Sequence, residues 1–324
     1  MSTDVSHRVP VRFAPRRLAH ANLFVSDLQE SLRFYVEVCG LAEVFREPSI
    51  NAIFLSNGSS HHDIAIMGIQ DGAIGGFGHG ARPGLNHLGF EMEHETVLVD
   101  AYRRAIDTGV AINVTLDHGL SHSVYVSDSE RNLLEFYADA TRDWRGFYAT
   151  HQGQMITSLW NPLAQVPSTE SFYELAFEAR YVPAAPIRPR QITQATLLVE
   201  DYDAMRRFYT DVAGLSLLYE DTAHQSAVFG GTTGQPAVAL LEARPGETPG
   251  LHHISFEVAD GAHLKKLLAS SDRGTLDVVR TIDDGDRIGI ALRSPDNLIV
   301  AFHSDKQRSG WTPPAGTQRD LYML

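Results

Sequence analysis

Three residues in apolar surroundings carry the strongest chemical signal in the chain: His20 in LAHANLFV, His87 in GLNHLGFEM and Glu135 in NLLEFY. A carboxylate inside an apolar strand is costly unless a positive group pairs with it, and a divalent cation is one effective partner. Two imidazoles and one carboxylate form the facial triad that leaves coordination positions open on Fe(II), with Mn(II) as the second choice. Taken singly, each residue has a plainer reading. A histidine on a strand is more often a hydrogen-bonded core residue, and Glu135 could end a strand facing solvent. Composition supports the joint reading, because fifteen histidines accompany a single cysteine, Cys39, and imidazole is the commonest protein ligand for transition metals.

The elements that must position these residues follow from an internal repeat. SDLQESLRFYVEVCGL (26–41) returns as EDYDAMRRFYTDVAGL (200–215), GLNHLGFEM (84–92) as GLHHISFEV (250–258), and Asn132-Leu133 as Asn297-Leu298, all in one order. Each half is itself bipartite. Residues 18–25 read as a strand, Asp27 with Glu30 as a capping box, and Leu28, Leu32, Tyr35 and Val38 as one helical face that Gly40 ends. Short apolar segments near 42–47, 51–57 and 63–69 complete a β-α-β-β-β unit. A second unit runs from a strand at 86–92 through a helix from Glu95 to Thr108 to strands near 111–116, 122–127 and 132–138. The scheme repeats from Ile192 to about His303, with helices near 201–213 and 260–270.

The expected fold is therefore α+β, with two domains of two βαβββ modules each. Residues 1–138 form the metal-binding catalytic domain, 139–190 a linker, 191–304 the repeat domain and 305–324 a C-terminal tail. The linker contains Trp144, Tyr148 and Trp160, and a short helix over 169–179 capped by Ser168 is expected within it. Its aromatic content indicates an ordered segment that cements domains or subunits in preference to roofing a cavity.

Composition excludes several function classes. With 43% hydrophobic residues the chain can bury a core, and a net charge of −13 without a basic run argues against nucleic acid as a partner. One cysteine makes no internal disulfide, no apolar export segment follows the N-terminus, and no stretch reaches the ~20 apolar residues of a bilayer span. A cytoplasmic location with no membrane partner is the expectation. GAIGGFGHGARPG (72–84) lacks the Lys-Ser/Thr ending of a phosphate loop and reads as a flexible connection.

On these residues and this repeat, the chain resembles the vicinal oxygen chelate superfamily, and within it the type I extradiol ring-cleaving dioxygenases such as catechol 2,3-dioxygenases, over nearly its whole length. In that family the metal ligands are a histidine opening one module, a histidine opening the next and a glutamate in that module's last strand. The resemblance puts His20, His87 and Glu135 in these places. HDIAIMG (62–68) resembles the strand carrying the family's acid/base histidine, which implies that role for His62. DHGLSHSVYV (117–126) resembles the segment ahead of the metal glutamate, which implies that His118 is a further histidine over the substrate and Tyr125 the tyrosine that hydrogen-bonds a diol oxygen. The interval before Tyr125 is shorter than the family's, so His118 and His122 both remain candidates. Better-known two-domain members hold iron in the C-terminal domain, whereas the intact set here is N-terminal. In the second copy Gln194 aligns with His20, His253 with His87 and Val300 with Glu135, so that domain is expected to be metal-free. The resemblance further implies a glyoxalase-like fold, a mononuclear Fe(II) or Mn(II) centre, a small aromatic diol and O2 as substrates, and homo-oligomers.

Two rival functions suit the same scaffold. A metal-dependent isomerase or transferase would need no O2, and a duplicated relative could sequester an aromatic ligand without catalysis. His62 with Tyr125 favours the dioxygenase over the first, and the intact triad favours it over the second. The tail could cover the site or a neighbouring subunit.

Overall fold

A computed structural model describes residues 10–69, 82–270 and 276–305. The first βαβββ unit comprises β1 (Arg17–Val25), α1 (Leu28–Arg33), β2 (Ala42–Glu47), β3 (Ala52–Ser56) and β4 (Ile64–Gly68). The second comprises β5 (Gly84–Glu91), α2 (Glu95–Asp107), β6 (Ile112–Asp117), β7 (Ser121–Ser127) and β8 (Leu133–Asp139). After α3 (Trp144–His151) and β9 (Ser158–Leu159), the scheme recurs as β10 (Pro189–Val199), α4 (Tyr202–Asp211), β11 (Ser216–Asp221), β12 (Ser226–Gly230) and β13 (Pro236–Glu242). It closes with β14 (Gly250–Val258), α5 (Gly261–Ala269), β15 (Val278–Asp283), β16 (Arg287–Arg293) and β17 (Ile299–Asp305).

The strands form two mixed sheets of matching order, β2-β3-β4-β1-β5-β8-β7-β6-β9 and β11-β12-β13-β10-β14-β17-β16-β15. In each, the two modules meet at an antiparallel pair, β1 with β5 and β10 with β14, flanked by the parallel pairs β1–β4, β5–β8, β10–β13 and β14–β17. The period of two separates the faces. Ala21, Leu23, Leu88 and Leu134 of the first sheet share one hydrophobic core with Ala195, Leu197, Ile254 and Val300 of the second. Asn22, Phe24, His87 and Glu135 turn the other way, into a cavity.

Local signals act as the sequence suggests. The Asp27 carboxylate accepts hydrogen bonds from the Gln29 and Glu30 amides at 2.9 and 2.8 Å, capping α1, which continues into a π-helical turn over Phe34–Val38. Gly40, at φ +79°, ends the helix, and a side chain there would meet the Ile187 carbonyl.

The linker departs from expectation. Residues 169–179 form no helix, because their side chains are committed elsewhere. The Tyr173 hydroxyl donates to Glu93 at 2.5 Å, and the Arg16 guanidinium lies 3.2 Å over the Tyr173 ring. Ser168 accepts the Glu170 amide without a helix following it. The linker's helix is α3 instead, capped by Asp143 through the Gly146 amide at 2.9 Å. Most of the connection expected at 72–84 lies outside the described residues, as does the tail after Asp305. No helix among the described residues is long and apolar enough to cross a membrane.

Candidate metal centre

His20 joins His87 and Glu135 through an irregularity in β1. Leu18 stands opposite Phe90 and His20 opposite Gly89, so β1 advances two residues while β5 advances one. Simple alternation would put Leu18 and His20 on the same face. This bulge instead leaves Leu18 in the shared core and turns His20 to the opposite face. Gly89 leaves the space that His20 fills, because a Cβ on residue 89 would fall on the imidazole ring. Gly89→Ala should therefore displace the ring and lower metal content with little loss of secondary structure, measured by metal analysis beside circular dichroism. Full metal retention would contradict this packing.

The three expected ligands converge. Oε2 of Glu135 lies 2.8 Å from Nε2 of His20 and 3.1 Å from Nε2 of His87. One ligand atom from each of the three lies within 4.8 Å of the others, and all three residues are buried. Ser123 donates to the other carboxylate oxygen, Oε1, at 2.5 Å. Burial opposes the Glu135 charge, but the adjacent imidazoles prevail and hold its carboxyl well below the ordinary range. A charged carboxylate beside two ring nitrogens is a donor set suited to a divalent cation. His20 with His61 and His62 forms a second possible grouping, but it lacks a carboxylate and uses the same His20.

Burial pushes the His20 imidazole down to about 4, against the pull of Glu135. The unfolded chain would take up this proton near the ordinary value of about 6.5. Between those values the unfolded state holds more protons, so stability is lost as pH falls through the window. The thermal midpoint of chelator-treated protein should fall steeply between about pH 6.5 and 4. A flat midpoint would contradict a buried, neutral His20.

The other sequence candidates separate in space. The His62 ring stacks on His20 at 4.1 Å, and its Nε2 sits 3.1 Å from Oδ1 of Asn22. Burial drives the His62 imidazole well below its ordinary value, so it is neutral. Tyr125 stands opposite Glu135 in the β7–β8 pair, and burial keeps its phenol protonated. His118 Nε2 lies 3.2 Å from the Tyr125 hydroxyl and 3.6 Å from Glu135, while its Nδ1 meets Thr157 at 2.9 Å. His122 is excluded from the cluster. Within β7 it alternates with Ser123 and Tyr125 and turns to the other face, where it pairs with Glu95 at 2.7 Å and stacks on Trp160 at 4.6 Å.

His62, His87, His118, Tyr125 and Glu135 line a cavity of about 290 Å³, while His20, fully buried, meets that lining through Glu135 and the His62 ring. Its other walls include Phe24, Ile50, Phe54, Met67, Leu116 and Leu120. The linker roofs it. At one side β9 pairs with β6, and at the other Gln152 donates to the Val44 carbonyl at 2.9 Å and the Gly153 amide to that of Arg46 at 3.2 Å. Tyr148, Met155, Ile156 and Thr157 consequently face the cavity. The preference for linker aromatics as domain cement is thus corrected for Tyr148, whereas Trp160 serves packing against His122.

Sequence reasoning missed Gly89, Asn22, Ser123 and Thr157. Only Gly89 left a trace, as the glycine of GLNHLGFEM where the repeat has Ser255 in GLHHISFEV. The alignment of the second copy also needs correction. His253 stands opposite Ile299 and Ser255 opposite Ala301, just as His87 stands opposite Leu133 and Gly89 opposite Glu135. Ala301, and not Val300, therefore occupies the carboxylate position. The Asn132–Asn297 match misleads by one residue, because Arg131 and Asn297 are the left-handed residues of the equivalent turns. Among the described residues, both groupings able to hold a metal lie in the N-terminal half of the chain.

Comparison with known proteins agrees with this architecture. The chain is 28% identical over 196 residues to biphenyl-2,3-diol 1,2-dioxygenase 3 of Rhodococcus globerulus, covering 60% of this chain and 97% of that protein. It is 27% identical over 215 residues to catechol-2,3-dioxygenase of Bacillus subtilis (strain 168), covering 65% and 69% respectively. The fold matches that of the 2,3-dioxygenase LapB from Pseudomonas sp. KL28 with a TM-score of 0.62 at 16% identity, covering 94% of this chain and 96% of that one. A family model matches both halves, at residues 17–136 and 191–302, and the chain belongs to the Glyoxalase/Bleomycin resistance protein/Dioxygenase superfamily.

Proposed function

We infer that the protein is an extradiol ring-cleaving dioxygenase that inserts O2 into a catechol or fused-ring diol, with Fe(II) held by His20, His87 and Glu135. The observation that carries this reading is the placement of His62, Tyr125 and His118 around that triad at one end of an apolar cavity. Both curated relatives bear the names of dioxygenases acting on aromatic diols. Mn(II) suits the same donors.

The ion would supply adjacent coordination positions for the diol and O2 and a path for electrons between them. The protein's own groups orient the diol and manage its protons. His62, neutral through burial, donates its Nε2 hydrogen to Oδ1 of Asn22, which leaves the lone pair of Nδ1, without a hydrogen-bond partner among the described residues, to take a diol proton. Tyr125 keeps its proton and can donate to a diol oxygen. His118, held through Thr157 of the roof, backs the Tyr125 hydroxyl. The apolar walls and the burial of Glu135, His62 and Tyr125 limit the contact of the reacting groups with bulk water. Homo-oligomers and a cytoplasmic setting belong to this reading as proposals.

Colourless catechol should turn yellow in air with anaerobically iron-loaded protein and not with the metal-free form. Mass spectrometry should then find a hydroxymuconic semialdehyde carrying oxygen from labelled O2. A muconic diacid, or no incorporation, would overturn the reading and leave isomerisation or simple binding.

A further inference from the structure

Glu47 is a second carboxylate on the cavity wall, and the proposed reaction does not use it. It closes β2, where Phe45 and Glu47 turn inward while Arg46 is exposed. Glu47 is 2% exposed. Across the sheet, Glu47 stands opposite Ala52, Ala52 opposite Met67 and Met67 opposite Phe24. The neighbouring row contains Asn22 and His87, and the row beyond that contains His20 and Gly89. Same-face rows lie about 6.6–6.8 Å apart along a strand, so the Glu47 row lies about 13 Å from that of His20. Phe24 and Met67 of the Glu47 row, with Ile50 and Phe54, give the cavity apolar walls beside that carboxylate.

Glu47 has little company of its own. The Ser49 hydroxyl donates to Oε1 at 3.2 Å and the Ile156 backbone assists, but burial prevails and pushes the carboxyl above its ordinary value, and no cation among the described residues offsets it. An ionised carboxylate accepts about four hydrogen bonds, so acceptor capacity remains. A polar group set in an apolar cavity wall is the arrangement that fixes a ligand's orientation.

We propose that Glu47 reads the far end of the substrate, which is a diol carrying an apolar extension that ends in a hydrogen-bond donor, either a hydroxyl or a protonated amine. This rests on the triad binding the diol, as in the proposed function. The triad anchors one end, the apolar walls take the extension, and Glu47 accepts the terminal donor. Glu47 is then a specificity residue and touches none of the reacting atoms.

The test uses the iron-loaded protein with 2,3-dihydroxybiphenyl and its analogues bearing a hydroxyl or an aminomethyl group at the far end of the second ring. Anaerobic calorimetry gives Kd and aerobic assays give kcat/KM. The wild type should favour a donor-bearing analogue over the parent by roughly 10- to 100-fold. Glu47→Leu should abolish that preference, and because the parent compound is the internal reference, a general loss of folded protein cancels in the ratio. Glu47→Gln guards against a misfolded leucine variant and separates the two donors. It should retain a preference for hydroxyl, which an amide oxygen can accept, and lose one for ammonium, which needs the charge. Equal affinity of the wild type for all three ligands, or an unchanged ratio in Glu47→Leu, would overturn the proposal. A Glu47-dependent binding preference without ring cleavage would sink the dioxygenase reading alone, whereas cleavage without preference would sink only the role of Glu47.

Discussion

Glu135→Ala should strip metal and activity together. The carboxylate contributes the negative charge of the donor set, and its Oε2 is the atom on which His20 and His87 converge. Without it two neutral imidazoles remain, too few to hold a divalent ion in the face-sharing arrangement that leaves positions open for diol and O2. Losing the several kcal/mol that a metal centre contributes implies a fall in turnover of at least about 10³-fold. Metal analysis after anaerobic reconstitution checks the first half of the claim and ring-cleavage assays the second. Glu135→Gln should resemble the alanine variant in metal loss, because an amide keeps the shape but not the charge. His253→Ala should leave metal content at about one ion per chain, since its sheet has Ala301 where the carboxylate would stand. Metal retention in Glu135→Ala would refute the assignment of the triad.

His62→Phe should do the opposite, keeping the metal while turnover falls by about 10²–10⁴, the effect of removing a positioned acid/base group. Phenylalanine preserves a flat ring for stacking on His20 and edge contact with Phe54, so His20 should hold its place. The loss should appear mainly in kcat, because no ligand to the ion has been removed. This variant also separates the two possible metal groupings. If the ion used His20, His61 and His62, metal content would fall as steeply as rate. Since burial keeps His62 neutral well below the usual imidazole range, the wild-type kcat/KM profile should lack an acid limb near pH 6.5 from this residue, and a limb that disappears in His62→Phe would contradict its burial.

The amino-acid sequence by itself determined the duplicated βαβββ plan, because hydrophobic periodicity, the Asp27 cap and the Gly40 stop are local instructions that each module carries in full. It also marked His20, His87 and Glu135, since polar groups in apolar strands stand out without knowledge of neighbours. Tertiary structure alone decided which neighbours complete the site. A bulge that exists only against β5 turns His20 away from Leu18's face, and its need for Gly89 is a contact between strands far apart in sequence. The choice between His118 and His122 depended on the pairing of β7 with β8, which directs Tyr125 toward Glu135 and His122 away. The same cause shifted the degenerate position from Val300 to Ala301, because register belongs to the β14–β17 pair and not to either strand. The linker shows the limit most plainly. Residues 169–179 have helix-compatible composition, yet Tyr173 is bound by Arg16 and Glu93, and α3 with β9 spans the open edges of the first sheet to roof the cavity. Local propensity is weak beside such long-range contacts, and those contacts form only once the strands have assembled.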